Sequence, residues 1–275
     1  MDWRRFKTII IVVLILINVF LGVYLIRGRI KENDTAKATR QNVISILEKN
    51  NIEMSYDSFP KSRENYSACY ISRFLESDTE FIQNIIGTAQ ENGDGSYLGE
   101  YGTLEIKDEV FCFKLSKAEK TELSEDGVIE KCRSFMESNG IYSDLYEPET
   151  VKTENKESSV RFWLTYNGCK FLDSYISFKV TKNGIEEIVG RNIVKNKSIS
   201  SYESDIMSVE SIIVSAGDDK NAESPVKVEG VAFEYYMGKS EGIYKSVLAI
   251  PVWVIRFSDG DTLVYDARNG NPIEE

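Results

Sequence analysis

One long apolar run opens the chain, and every later apolar group is short and periodic. The run extends from Thr8 to Ile26, 19 residues. At a helical rise of about 1.5 Å per residue it spans roughly 28 Å, the thickness of a bilayer's hydrocarbon core. It holds no ionisable group of ordinary pKa, and its one strongly polar residue is Asn18. The pattern predicts a transmembrane anchor over 8–26 behind a cytoplasmic tail over 1–7. A secretory signal has a shorter apolar core, about 7–15 residues, and a small-residue cleavage site. Leu25-Ile26-Arg27-Gly28-Arg29 offers no such site, so the anchor is expected to remain uncleaved. Arg4, Arg5 and Lys7 precede the run; Arg27, Arg29 and Lys31 follow it. The near balance, tipped by the free amino terminus and the short tail, orients the N-terminus inside and the C-terminal domain outside the cell membrane.

Past the anchor the periodicity changes. Val43, Ile44 and Leu47 form a helical stripe ended by Lys49-Asn50-Asn51, which predicts a juxtamembrane helix over 27–50. An N-terminal α+β part then covers 51–118. Ile52, Met54 and Tyr56 alternate as a strand stopped by Pro60, and 67–75 reads as another. Asp78 is placed to cap a helix carrying Phe81, Ile82, Ile85 and Ile86, closed by Gly87. The turn Asn92-Gly93-Asp94-Gly95 leads into a meander over 97–106 and 110–115. Over 119–196, Ser124 opens a helix bearing Val128, Ile129, Cys132, Phe135 and Met136. Alternating strands follow, joined by Asn167-Gly168 and Asn183-Gly184; Asn-Gly between alternating strands is a strong hairpin signal. Over 197–275 the unit restarts. A helix is expected from Ser201, with Tyr202, Ile206, Val209 and Ile213 on one face and Gly217 at its end. Strands follow at 226–237, 247–257 and 262–266, with turns at Asp259-Gly260 and Asn269-Gly270. Trp163 and Trp253 occupy comparable places in the two units. The fold class is α+β: an anchor, then an ectodomain of helix-plus-antiparallel-meander modules, duplicated with a period of about 75 residues, suited to two small modules.

Charge narrows the partners. Residues 32–275 hold 27 basic and 43 acidic side chains, a net charge of −16. Such a domain lacks the basic face that phosphate neutralisation needs, so nucleic acid is not an expected partner, and it should not lie flat on an anionic membrane. The chain has no histidine, which removes Ser-His-Asp and Cys-His catalysis and every imidazole-ligated zinc site. Of the cysteines Cys69, Cys112, Cys132 and Cys169, no pair has C-x-x-C spacing, and Cys112 and Cys132 read as small buried hydrophobes without an essential disulfide.

Candidate chemistry is sparse. Gly238-Lys239-Ser240-Glu241-Gly242 matches G-x-S-x-G, yet it lies between strands and has no histidine to activate its serine. Read as the end of a phosphate loop, it needs a glycine where Phe233 stands. Asp259, Asp261 and Asp266 lack the spacing and closing Glu of a calcium loop. No catalytic, cofactor-binding or metal site is expected, and the protein is read as non-enzymatic. Asn18 and Gly22 are the suggestive pair: at i and i+4 they share one face of the anchor, with Ile15 and Leu25 nearby. A small residue and an amide on one stripe let helices approach and hydrogen-bond across an interface.

Met1-Asp2-Trp3, the basic residues after it, the single anchor and the ending from Pro251-Val252-Trp253 through Gly260 to Tyr265-Asp266-Ala267-Arg268-Asn269-Gly270 resemble the YycI family. These are membrane-anchored regulators of the essential cell-wall sensor kinase of low-GC Gram-positive bacteria. The resemblance covers the whole chain in layout, and the ending is similar to PepSY-like domains. It implies association through the membrane helix with a sensor histidine kinase, pairing with a YycH-type anchored partner, and no cofactor. The alternative is an anchored PepSY-like binding or inhibitory module for a protease or peptide, with the anchor a simple tether.

Overall fold

The computed structural model describes residues 14–15, 17–22, 35–60, 67–75, 78–93, 95–107, 109–116, 123–154, 156–195, 199–203, 205–220, 222–238 and 246–273. Residues 14–15 and 17–22 are helical, and helix α1 runs over 35–49. The rest follows as β1 (Ile52–Glu53), β2 (Ser67–Ser72), α2 (Thr79–Ile86), β3 (Gln90–Glu91), β4 (Ser96–Leu98), β5 (Gly102–Lys107) and β6 (Val110–Leu115). Next come α3 (Glu125–Ser138), β7 (Tyr146–Pro148), β8 (Lys152–Glu154), β9 (Glu157–Tyr166), β10 (Cys169–Thr181) and β11 (Gly184–Arg191). The C-terminal part adds β12 (Ser200–Glu203), α4 (Val209–Lys220), β13 (Val226–Tyr236), β14 (Ser246–Phe257) and β15 (Thr262–Asp266). The α+β expectation holds. No helix among the described residues is long and apolar enough to cross a membrane. Residues 8–13, 16 and 23–26 of the apolar run lie outside the described residues.

Local chemistry sets the helix ends. Ser124 caps α3 by accepting the Gly127 N–H at 3.3 Å, as its position promised. Asp78 precedes α2 but does not cap it. Its carboxylate instead accepts the Leu75 N–H at 2.9 Å and pairs with Lys195. Gly87, at φ +80°, ends α2 in a conformation that a side chain would strain.

Three expectations are corrected. The strand from Ile52 stops at Glu53, because Ser55 accepts the Asp57 N–H and starts a short 3-10 turn over Tyr56–Ser58. The helix expected from Ser201 begins at Val209. Ser200–Glu203 instead pair antiparallel with Tyr70–Ser67 of β2, and backbone hydrogen bonding outbids the helical spacing there. Gly217 lies inside α4 rather than at its end, for a packing reason given below.

Two compact units are present, and residues 197–275 contribute to both. The larger comprises Lys61–Met207, Ala232–Val254 and Leu263–Glu275. Its hydrogen-bonded strand order is β12-β2-β14-β13-β10-β11-β6-β5-β4-β3, with β9 beside β10 and both β7 and β8 beside β9. Helices α2 and α3 bury Phe81, Ile82, Ile85, Ile86, Val128, Cys132 and Met136 against one face of this sheet. Phe81 meets Phe111 and Phe113 edge-on at 5.9 and 6.0 Å, and Phe162 meets Phe178 at 5.7 Å. Each such ring, fully buried, contributes roughly 1.5–3 kcal/mol.

The smaller unit comprises Met1–Pro60, Ser208–Val231 and Ile255–Thr262. It joins the segment after the apolar run to the C-terminal module. β1 pairs in parallel with β13, Ile52 opposite Val226. The stripe Val43, Ile44 and Leu47 of α1 is buried, as is the α4 face Val209, Ile212, Ile213 and Ala216. A Cβ on Gly217 would fall 2.5 Å from Leu47 Cδ2, so glycine is what lets α1 approach α4. Arg40 pairs with Glu210 at 3.0 Å and lies over the Phe59 ring at 5.0 Å.

Replacing Gly217 tests that approach. In an open helix, removing a glycine raises stability by about 1 kcal/mol. Here Gly217→Leu is expected to lower it by about 1–3 kcal/mol through overpacking. Thermal melts of the full chain in neutral detergent measure it, and an unchanged or higher melting temperature would mean that α1 does not rest on α4 at this point.

Candidate functional site

Alternation in β9, β10, β11 and β6 sends one set of side chains under α2 and α3 and the other set outward. The outward set has consistent register. Trp163 lies opposite Tyr175, and Tyr175 opposite Arg191; Arg161 lies opposite Ser177, Ser177 opposite Val189, and Val189 opposite Cys112. Cations stack on the rings. Lys170 Nζ sits 3.5 Å from the Trp163 ring centre, and Arg161 Cζ sits 5.2 Å from Trp163 and 4.8 Å from Tyr175. The two rings meet edge-on at 5.5 Å. Arg161 Nε donates to Ser177 Oγ at 2.9 Å. Trp163 Nε1 and Arg191 Nε are buried and lack a hydrogen-bond partner among the described residues. Beside this patch a hollow of about 370 Å³ is lined by Lys152, Glu154, Glu157, Ser177, Lys179 and Glu187, among others.

A break in β10 places polar groups behind the patch. Its register against β9 shifts between Lys170 and Tyr175, and at Phe171 the strand pairs with Tyr235 of β13. The extra residues turn Asp173 and Ser174 inward, where Asp173 is 4% exposed. The Asp173 carboxylate accepts the Met237 N–H at 3.1 Å and the Gly238 N–H at 2.9 Å. Asn192 donates to the Asp173 carbonyl at 3.0 Å, Ser174 Oγ donates to the Asn192 carbonyl at 3.0 Å, and Arg73 donates to Asn192 and Glu109. Burial pushes the Asp173 carboxyl up to about 6, against the opposing pull of the two N–H groups and Arg191. The buried Cys69 and Cys132 thiols are pushed up to about 12, chiefly by burial.

The sequence-derived candidates fall elsewhere. Asn18 Nδ2 donates to its own helix at Leu14 O, 2.8 Å away, and a Cβ on Gly22 would meet nothing within 4 Å. Ile15 is exposed beside them. Leu25, Arg4, Arg5, Lys7, Met1, Asp2 and Trp3 lie outside the described residues. The C-terminal motif is structural. Trp253 is buried and donates to Met207 O at 3.4 Å; Gly260, at φ +93°, forms the turn after β14. Tyr265 and Ala267 are buried, and Gly270 closes a turn on the Asp266 carbonyl. Asp259 and Asp261 both grip Lys220, and Asp266 grips Arg268, so these carboxylates have cations of their own. No metal-binding cluster occurs among the described residues. None of the four cysteines is in a disulfide; Cys132 is buried as expected, but Cys112 faces outward, 3.6 Å from Glu187.

Reasoning from sequence missed the patch itself. Arg161, Trp163, Tyr175 and Ser177 occupy alternate positions of two adjoining strands, which is a legible signal. The break in β10 that brings Lys170 onto Trp163 leaves no motif.

The sequence profile of the family described as YycH protein, C-terminal domain, matches residues 63–266. The chain belongs to that family, and the match does not single out YycI. No curated protein matches by sequence. Among solved structures, an uncharacterized protein from Eubacterium rectale is similar with a TM-score of 0.52 at 11% identity, covering 86% of this chain and 98% of that one. YycH from Bacillus subtilis gives 0.45 at 13% identity, covering 74% of this chain and 50% of that one. The C-terminal domain of YpeB from Bacillus megaterium gives 0.36 at 10% identity, with coverage of 74% and 97%. The Eubacterium likeness is one of fold alone, over 86% of this chain.

Asp173 generates a pH prediction. Its folded value, about 6, lies above the ordinary carboxyl value of 3.8. The group's contribution is therefore fully present below pH 4 and is lost as pH rises through 6. Between pH 4 and 7 the unfolding free energy of the wild type should fall by roughly 3 kcal/mol relative to Asp173→Asn. Denaturant melts of both proteins across that range measure it; parallel pH profiles would show that burial does not perturb Asp173.

Proposed function

We propose that this protein is a non-enzymatic accessory regulator of a two-component sensor kinase, held in the cell membrane by one N-terminal helix, with its α+β domain outside. Membership of the YycH C-terminal-domain family supports the regulatory class. The carrying observation is at the N-terminus. Leu14, Ile15, Ile17, Val19, Phe20 and Leu21 are about half exposed or more, with Phe20 at 71%, so this helix has an apolar surface that the other described residues do not cover. Lipid or another membrane helix is the medium such a surface requires. The Asn18/Gly22 face is the side on which a kinase helix could approach, and a neighbouring helix biases a signalling helix by favouring one of its arrangements. A YycH-type anchored protein and the YycI-like role belong to this proposal.

Asn18→Leu with Gly22→Leu tests the mechanism. Both changes make the segment more apolar, so insertion and protein level are expected to persist. Co-purification with the kinase and the effect on kinase output are expected to be lost, since a close approach and a hydrogen bond of about 0.5–2 kcal/mol disappear. Leu16→Ile with Phe20→Leu should leave both intact. Full coupling in the Asn18/Gly22 variant would reduce the helix to a tether and favour the binding-module alternative.

A further inference from the structure

The cationic and aromatic sheet face has no assigned role, and it does not depend on the reading of the anchor. We infer that Arg161, Trp163, Lys170 and Tyr175 form a docking surface for an acidic peptide segment of a partner protein.

Charge complementarity carries the choice of occupant. Residues 32–275 have a net charge of −16, yet here Arg161 and Lys170 lie against two rings, with Arg191 opposite Tyr175 in register. Arg161 and Arg191 make no ion pair among the described residues. Glu147, opposite Trp163 across the β7–β9 ladder, also makes none. Arg161 uses Nε on Ser177 and keeps the far edge of its guanidinium for a carboxylate, which a guanidinium binds in a two-pronged geometry. Trp163 Nε1 and Arg191 Nε, both buried beneath this face, lack acceptors among the described residues. Lys170 lies on the Trp163 ring, and a shift of this flexible stem uncovers the indole. The surroundings argue for a narrow ligand. Glu147, Glu154, Glu157 and Glu187 lie close by, and a whole anionic bilayer surface would meet them within a Debye length of about 8–10 Å. An extended peptide reaches the rings without covering those carboxylates.

The test is calorimetric titration of the full chain, in neutral detergent, with short poly-L-glutamate. A polyanion is repelled by the domain as a whole, so saturable binding that weakens with salt reports a local patch. Arg161→Ala with Lys170→Ala should lower the affinity at least about tenfold with little change in melting temperature, because Arg161 is exposed. Trp163→Phe keeps a ring and removes the N–H, and should cost about fivefold. Arg161→Gln reads the same effect if the double variant fails to fold. The proposal is overturned if poly-L-glutamate does not bind the wild type, if the substituted proteins bind it equally, or if phosphatidylglycerol vesicles bind through these residues and the peptide does not.

Discussion

The close approach of α1 to α4 is the constraint on which the smaller unit depends. Gly217 lacks a side chain where Leu47 needs the space, and that absence lets the Val43/Ile44/Leu47 stripe become buried. Arg40 secures the contact by pairing with Glu210 while its guanidinium covers Phe59. Asn50 and Asn51 add hydrogen bonds to Asp218 and to the Ala222 carbonyl. These contacts join a helix just after the apolar run to the C-terminal module, some 170 residues later in the chain. A disturbance of α1 therefore has a packed route into α4, β1 and the start of β13. The account of regulation needs that route, because a floppy linker would carry no such bias.

In the larger unit a different constraint applies. β10 is both a partner of β9 and β11 along its length and a neighbour of β13 at Phe171. Meeting both demands costs regular pairing between Lys170 and Tyr175. The polar groups turned inward there must be satisfied, which Asn192, Ser174 and the Met237 and Gly238 amides accomplish. The same irregularity sets Lys170 on Trp163 and leaves a cationic face on an otherwise acidic domain. Irregular pairing on one side of the strand and the cation-ring contacts on the other thus share one origin.

Much of this was legible from periodicity. The stripe of α1, the capped α3, the Asn-Gly hairpins of β9–β11 and strand β6 follow from spacing and turn chemistry, and the structure has them, while the segment expected over 97–106 is split into β4 and β5. The failures have physical causes. Ser200–Glu203 carries a helical spacing but is captured by the edge of β2, a partner distant in sequence. Gly217 reads as a helix stop, and a residue that makes room for Leu47 looks identical from sequence. Asp78 has the right type and position for a cap, yet Lys195 and the Leu75 N–H claim its carboxylate. The sheet-face patch escaped because its members are joined by a strand break and not by spacing.

Hydrogen exchange on the full chain in neutral detergent tests the central claim, that α1 and α4 form one cooperative unit. Leu47→Ala removes the side chain beside Gly217, a change that costs on the order of 2–5 kcal/mol in a packed core. The account predicts that amides of α4 lose protection together with those over 35–49, while amides of β9–β11 in the other unit keep theirs. If exchange quickens over 35–49 while α4 retains its wild-type protection, the juxtamembrane helix is merely laid on the domain and transmits nothing to it.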